Sequence, residues 1–557
     1  MKKLIQIPAL ILLFNLYNGW HCYSQNETKK WYFGLQAGLD FSTNPPTVLT
    51  NGVTAPADEA YASIADTQGN LLFYTNGVTV WNKTHTVMAN GSGLDGNTSA
   101  TQGALIVKQP GNNNLYFVFT LDAGALPNGL KYSVVDMALA SGNGSVTIKN
   151  VPLLTPCTEK MAGVKHCNGI DTWVMVHDVT NVFKAYLVTS VGINTVAVNS
   201  AIGVSNANVG YLGSIKFSSN GKKLAAATSA VDSIAPWKTG VFELFDFDNA
   251  TGIVSNPIIL AKGYPTYNYA YACEFSPDCK KLYGLKTNTP AQNRIFQWDL
   301  CAGSASAIVS SIYSIATPSV YGGGMQLAPD GKIYISRHQQ QSLAVINNPN
   351  LAGNASNYSE AGQSIAPKTC GIGLPSFVSS FLKPLPTLSL SVNCLTASFS
   401  PVIQQSLGCS ASGNSLTGQV WSFGDPASGS SNTSTLGSPV HNYSTSGSYT
   451  AQLVLQYNCG SDTLRKVLTV SKCVGINALN NDKVPFLVYP NPVQNSFTLQ
   501  LESSVILTIK NLLGETILED FFEAGKNEIN LEKENSGVYI LCFKNDTGYY
   551  TRKLLKP

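Results

Sequence analysis

Six times along the N-terminal part of the chain, a short apolar strand runs into a tight turn and a second apolar strand runs out of it. The pattern is plainest in IKFSSNGKKLAAA from residue 215, CEFSPDCKKLYGL from 273 and MQLAPDGKIYISR from 325. Looser copies precede them in ASIADTQGNLLFYT, IVKQPGNNNLYFVFT and KHCNGIDTWVMVHD. The turn position falls at Gly69, Gly111, Gly169, Gly221, Cys279 and Gly331, so successive turns are 42, 58, 52, 58 and 52 residues apart. Each copy continues into further strands, such as VFELFDFD after Gly240 and NRIFQWDL after Gln292. A unit therefore holds about four strands, and such a unit cannot bury both sheet faces until neighbours pack against it.

Four-stranded units at this spacing describe the blades of a β-propeller. Six turns are visible. The preceding KKWYFGLQAGLDF and the following CGIGLPSFVSSFL are each too short for a blade, and together they are expected to complete a seventh and close the ring. Residues 30–383 thus resemble the WD-type and YVTN-type propellers, in which F-S-P-D-G-x-x-L recurs. Cys279 departs from that pattern at a position that often needs a positive φ, and a disulfide is the expected means of holding the turn.

Composition places the chain outside the cell. Only 12% of its 557 residues are charged, and the net charge of +3 is too small and too scattered to suggest a nucleic-acid partner. Met1 to Gln25 has two lysines, an apolar run from Leu4 to Leu16 and then small polar residues, the layout of a secretory signal peptide spanning 1–24. Acylation at Cys22 is disfavoured because His21 stands where a small residue is needed. No other stretch is long and apolar enough for a transmembrane helix, so the mature chain is expected to be soluble and exported. Leaving out Cys22, eleven cysteines divide into six before residue 384 (157, 167, 273, 279, 301 and 370), four between 394 and 473, and Cys542 alone. Even counts in the two larger regions predict disulfides rather than metal sites, since no CxxC pair occurs. Cys542 is expected to be free.

A second unit starts after the Pro-rich joint FLKPLPTLSL. VWSFGDPASGSSN followed by SPVHNYSTSGSYTAQLVL resembles a PKD domain, an immunoglobulin-like β-sandwich, over residues 386–472. Trp421, Phe423, Gly424, Asp425, His441, Tyr443, Gly447, Tyr449 and Leu453 match that family's pattern, while Pro426 replaces its glycine and Ala451 its valine. The aromatic residues are expected to fill the core and Asp425 to accept hydrogen bonds within its turn. Asp425 and His441 are read as structural because no activated nucleophile accompanies them. The resemblance implies a spacer or weak adhesive module.

The tail, 485–557, resembles the type A sorting domain of proteins exported by the type IX secretion system of Bacteroidota. Its marks are Pro490-Asn491-Pro492 before SFTLQL, the hairpin IKNLLGETI with Gly514 at its turn, SGVYILCF containing Gly537, and the basic ending RKLLKP with Lys553 and Lys556. The two prolines set the approach of the first strand, since each fixes φ and removes a donor. The resemblance implies recognition by the secretion machinery and delivery to the cell surface or beyond.

Enzyme signatures are missing: there is no GxSxG, Walker loop, HExxH or dinucleotide fingerprint. No cofactor and no metal are expected. His166 and His177 share one repeat without an evident partner carboxylate, and DFDNATG from 246 lacks calcium-loop ligands at Ala250 and Thr251, so it reads as a hairpin turn. In a propeller, the loop leading into each innermost strand lines the mouth of the central channel. These loops read DEAYAS, ATQGAL, KMAGVK, GYLGSI, NYAYACE and YGGGMQ. They are small-residue-rich, as a crowded axis demands, with Glu59, Gln102, Met161, Tyr211, Tyr269, Tyr271 and Tyr321 interspersed. Tyrosines at a concave mouth suit stacking on sugar rings or gripping a peptide loop, against the alternative that they pack between blades.

Two functions stay open. One is a noncatalytic surface or secreted binding and adhesion protein for a glycan or protein ligand. The other is a propeller hydrolase, lactonase-like or glycan-cleaving, for which Asp58, Glu59, Glu159 and Glu274 are the candidate carboxylates. They do not recur from blade to blade as metal-site ligands should, which favours binding.

Overall fold

The computed structural model describes residues 26–53, 59–205, 210–229, 240–262, 269–287, 293–384, 387–402, 408–409, 416–457, 461–472, 486–545 and 548–557. The expected signal peptide, 1–24, and Asp58 lie outside them. The protein is all-β and divides into two compact units, Met1–Val470 and Ser471–Pro557.

The first unit begins with seven consecutive sheets of antiparallel strands, at 30–49, 62–92, 104–154, 161–201, 212–262, 269–316 and 322–364. These are the blades. The innermost strand of each touches that of the next in chain order, and the second and third sheets are joined by a single parallel pairing of Ala89 with Ser145. The six turn positions that define the repeat all have positive φ, from 59° at Cys279 to 88° at Gly69. This left-handed backbone lets each inner hairpin reverse within a few residues, and glycine adopts it without strain.

Cys279 adopts it with a buried, free thiol, contrary to the expected disulfide. The turn is held instead by polar bonds. Ser276 Oγ accepts from Lys281 N and donates to Asp278 Oδ1, while Cys279 N donates to Ser276 O.

The first blade has three strands, Lys30–Phe33, Ala37–Asp40 and Thr47–Leu49. It meets the seventh through a cluster in which Trp31, Phe33 and Leu39 pack on Tyr334, Leu343 and Val345. Burial of side chains this large contributes about 1.5–3 kcal/mol each, which closes the ring without a shared strand. The segment after the last blade does not become a regular strand of the first. Apart from one bridge between Leu35 and Thr369, residues 371–382 run along the innermost strands, with Ser376 pairing parallel to Ala62 and Val378 parallel to Gly163. This segment therefore lies on the channel side of the inner strands.

Beyond it lies a sandwich. A three-stranded sheet (Thr387–Asn393, Thr396–Val402, Val440–Asn442) faces a four-stranded one, in the order Thr433–Ser434, Leu416–Ser422, Gly447–Tyr457, Ser461–Val470. Trp421, Phe423, Tyr443, Leu453 and Phe399 form its core. Gly424 has φ +73°, and a Cβ there would come within 2.6 Å of Thr450 O. Pro426 starts a 3-10 helix, Pro426–Asn432, which is how the turn after Asp425 accommodates the missing glycine.

The expected disulfides are present in part. Cys301 of the sixth blade is bonded to Cys409 of the sandwich rather than to a cysteine of its own region. The two segments are brought together where Gly408 N donates to Asp278 O. Cys167 and Cys394 are disulfide-bonded as well. Cys157, Cys273 and Cys370, like Cys279, are free and buried, and Cys542 is free.

The second unit is a smaller sandwich. Phe486–Tyr489, Ser496–Leu501 and Gly525–Asn530 form one sheet, and Thr516–Phe522, Val505–Asn511, Gly537–Asn545 and Gly548–Lys556 the other. Phe497, Leu499, Leu507, Leu541 and Phe543 lie between them. Among the described residues no helix is long and apolar enough to cross a membrane, which says nothing of a β-barrel.

Candidate functional site

The lead-in loops converge at one end of the ring as the topology requires, and the chain itself covers the axis there. Gly324 N donates to Ile372 O, and a Cβ on Gly323 would stand 2.1 Å from that oxygen. A Cβ on Gly373 would meet Glu59 O at 1.9 Å, so only glycine allows this crossing. From the mouth the segment descends beside the inner strands. Ser376 N donates to Tyr61 O, Ser380 Oγ accepts from Lys165 N, and Val378 and Phe381 join the core of the second, third and fourth blades. It leaves by the opposite face, where the inner hairpin turns lie.

The residues singled out at the mouth divide into two groups. Glu59, Gln102, Met161 and Tyr271 are buried. Tyr271 Oη donates to Glu59 Oε1, and Gln102 stitches blades together by donating to Ile215 O while accepting from Met161 N and Ile215 N. Tyr211 and Tyr321 are half-buried, with the Tyr321 ring 6.4 Å from Tyr271 and 6.3 Å from His338. Tyr269 starts the sixth inner strand, Tyr269–Phe275, but its side chain lies outside the described residues.

The remaining carboxylates are engaged by protein donors. Glu159 accepts from Thr101 N, Thr101 Oγ1 and Gly124 N, all within 2.9 Å. Glu274 accepts from Phe275 N and Leu327 N and pairs with Lys216 at 3.2 Å. Asp248 accepts from Ala250 N and Thr251 Oγ1, making DFDNATG the expected hairpin turn. His166 accepts from Asn168 N in another turn. Among the described residues no group of three His, Cys, Asp or Glu side chains is placed to hold a metal.

Around Glu159, beside the mouth, stands a buried charged cluster whose other members, Lys160, Glu243 and His177, were not among the expected site residues. Lys160 is fully enclosed, and its ammonium donates to Gly210 O at 2.5 Å. Burial pulls its pKa down to about 7, although the carboxylates of Glu243 and Glu159 oppose the shift. The same burial raises both carboxyls. His177 is held neutral, with its pKa pushed down to about 3 by burial and then by the Lys160 charge. The available signal was Glu159-Lys160, a charged pair at a lead-in position where most of the other blades place small or uncharged residues.

In the larger sandwich Asp425 accepts three hydrogen bonds. Burial pushes its carboxyl up, but bonds from Ser444 Oγ, Ser444 N and His441 Nε2 outweigh this and hold it below the usual carboxylate range. Tyr443 donates to Phe423 O and its ring packs 4.3 Å from that of Tyr449. Gly447 opens the long strand carrying Tyr449.

In the second unit the four tail marks gather at one end. Asn491, between Pro490 and Pro492, donates to Lys553 O at 2.7 Å and accepts from Leu555 N at 2.9 Å, so its amide stands in for a strand neighbour. Gly537 lies opposite Lys556, whose buried ammonium donates to Leu531 O, Glu532 O and Glu534 O. The Gly514 turn closes at the same end, presenting Leu512 and Leu513 at 72% and 85% exposure.

Residues 487–557 match the family model described as secretion system C-terminal sorting domain. No curated protein matches the chain. Among solved structures, the PKD1 domain of Vibrio anguillarum Epp is 18% identical, covering 16% of this chain and 93% of that one at a TM-score of 0.13. The PKD1 domain of the Vibrio cholerae metalloprotease PrtV is 24% identical, covering 16% and 95% at 0.13. The periplasmic gluconolactonase PpgL of Pseudomonas aeruginosa is 11% identical, covering 80% and 100% at 0.30. These likenesses are too distant to bear on activity or ligand. The chain carries a β-propeller, a β-sandwich and, over residues 487–557, a type IX secretion sorting domain, which makes it a protein exported to the cell surface or the extracellular space.

Proposed function

We propose that the protein is a noncatalytic binding or adhesion protein, with the propeller (30–383) as ligand platform, the PKD-type sandwich (386–472) as spacer and the tail (485–557) as address. The observation that carries this reading is the path of residues 371–382 along the inner strands of the ring. Glu59, Glu159 and Glu274 are each taken up by internal donors. A lactonase-like or glycan-cleaving propeller would use a carboxylate pair or a metal facing an open cavity, whereas a binding platform needs only a shaped rim.

The chain leaves the ring on the face opposite the mouth, so the spacer is attached where it leaves the mouth clear. The rim residues Tyr211 and Tyr321, half-exposed, are the contacts for a sugar ring or a peptide loop. The test is a glycan-array and protein-ligand screen of the full-length protein, repeated with Tyr211→Ala/Tyr321→Ala. Weakened binding with only a small loss of melting temperature is expected. Turnover of glycans or lactones, or a stoichiometric metal, would instead establish the hydrolase.

A further inference from the structure

The lead-in to the fifth blade is held by buried charge. Lys160, which stands just before the fourth inner strand Met161–Lys165, sends its ammonium to Gly210 O at 2.5 Å, and the neighbouring Glu159 N donates to Tyr211 O at 3.1 Å. Glu243, in the fifth-blade strand Val241–Asp248, accepts from Val204 N at 2.9 Å. A Cβ on Gly203 would stand 3.1 Å from the same carboxylate oxygen, so the backbone lies directly against it. Lys160 and Glu243 are both buried, and the charge of each acts on the other. Val204, Gly210 and Tyr211 are thus all tied to one cluster. Tyr211 is the half-buried rim residue that leads directly into the fifth inner strand, Leu212–Phe217.

We propose that Lys160 is a positioning residue of the mouth: with Glu243 as its counter-charge, it fixes the backbone at Gly210 and thereby the place of the Tyr211 ring on the rim. The role rests on the reading of Tyr211 as a ligand contact. Enclosing an ammonium is costly, and a buried ion pair adds little net stability over apolar side chains of the same volume. What it adds is direction. An ammonium–carbonyl bond is short and oriented, whereas an apolar contact tolerates sliding. The other rim tyrosine, Tyr321, is held through its carbonyl by His338 N and serves as the control.

The test replaces Tyr211 or, separately, Tyr321 with 3-fluorotyrosine in the full-length protein and reads the fluorine resonance with no ligand present. The resonance at 211 should be displaced from that of free 3-fluorotyrosine. Lys160→Met alone leaves Glu243 buried without that counter-charge, so the deciding variant is Lys160→Met/Glu243→Gln, which removes both charges and keeps an acceptor for Val204 N. In it the resonance at 211 should lose most of its displacement, while the one at 321 stays in place and unfolding remains cooperative. A resonance at 211 that does not move, or that is not displaced to begin with, overturns the proposal. Equal movement at both positions, or loss of the fold, also overturns it by making the pair structural only. Since no ligand enters the measurement, a negative glycan and peptide screen would remove the function of the rim and leave the positioning result standing.

Discussion

Tyr271 gives its phenolic hydrogen to Glu59 across 212 residues of sequence, and both side chains are buried beneath the channel mouth. Burial, reinforced by the neighbouring Glu59 charge, raises the tyrosine pKa far above its ordinary value, so it stays a donor throughout the physiological range. Tyr271→Phe removes this donor from Glu59 and should cost about 1–3 kcal/mol in denaturant unfolding. Tyr321→Ala, half-exposed, should cost less. Equal losses at the two positions would show that the rim is packed as tightly as the floor.

Acid should loosen the blade that holds His177. Its folded-state pKa is lowered to about 3, while an unfolded histidine titrates near 6.5. Its stabilising contribution is therefore complete above 6.5 and lost progressively as pH falls toward 3, at about 1.4 kcal/mol per pH unit. Glu159 and Glu243, with raised folded-state pKa values, titrate in the opposite sense, so the comparison must be with a variant. His177→Gln should flatten the difference in stability measured by denaturant unfolding between pH 6.5 and 4.5. Parallel curves for the two proteins would place the acid sensitivity elsewhere.

Breaking the Cys301–Cys409 bond by Cys301→Ser should cost about 2–4 kcal/mol, since the bond closes a loop of 108 residues. Proteolysis should then release the sandwich from the propeller sooner. Alkylation of the native protein should spare Cys157, Cys273, Cys279 and Cys370 and modify them only on unfolding.

Export should depend on the end of the second unit where its marks gather. A chain ending near Asn481 should fold yet accumulate in the periplasm. Asn491→Ala removes two bonds to the last strand, about 0.5–1.5 kcal/mol each, and should reduce delivery. Leu512→Ser/Leu513→Ser touches little of the core and should leave melting unchanged while lowering surface delivery, if this apolar tip is what the machinery reads. Cell fractionation measures all three.

The features legible in sequence were those written locally. A turn needing positive φ shows itself by Gly69 or Gly331, and even Cys279 betrayed the position by its neighbours. Trp421, Asp425 and Tyr443 announced their sandwich because their partners lie within a short stretch of chain. The path of residues 371–382 did not show, because CGIGLPSFVSSFL alternates well enough for a blade strand and its glycines matter only against Glu59 and Ile372. Lys160 was missed for a related reason: lysine is almost never fully buried, and only the ring brings Glu243 to it. Cysteine parity was blind to a bond that joins two domains.

The Cys301–Cys409 bond also decides where tension travels. A pull from the C-terminal side reaches Cys409 and passes directly into the sixth blade at Cys301, bypassing residues 302–408. The axial segment lies inside that bypass and stays slack, so Val378 and Phe381 remain seated while the chain is stretched. With the bond reduced, the same force would arrive through Lys383 and draw that segment out of the ring from below. Reducing conditions would thus turn a rigid mount for the mouth into one that deforms under load.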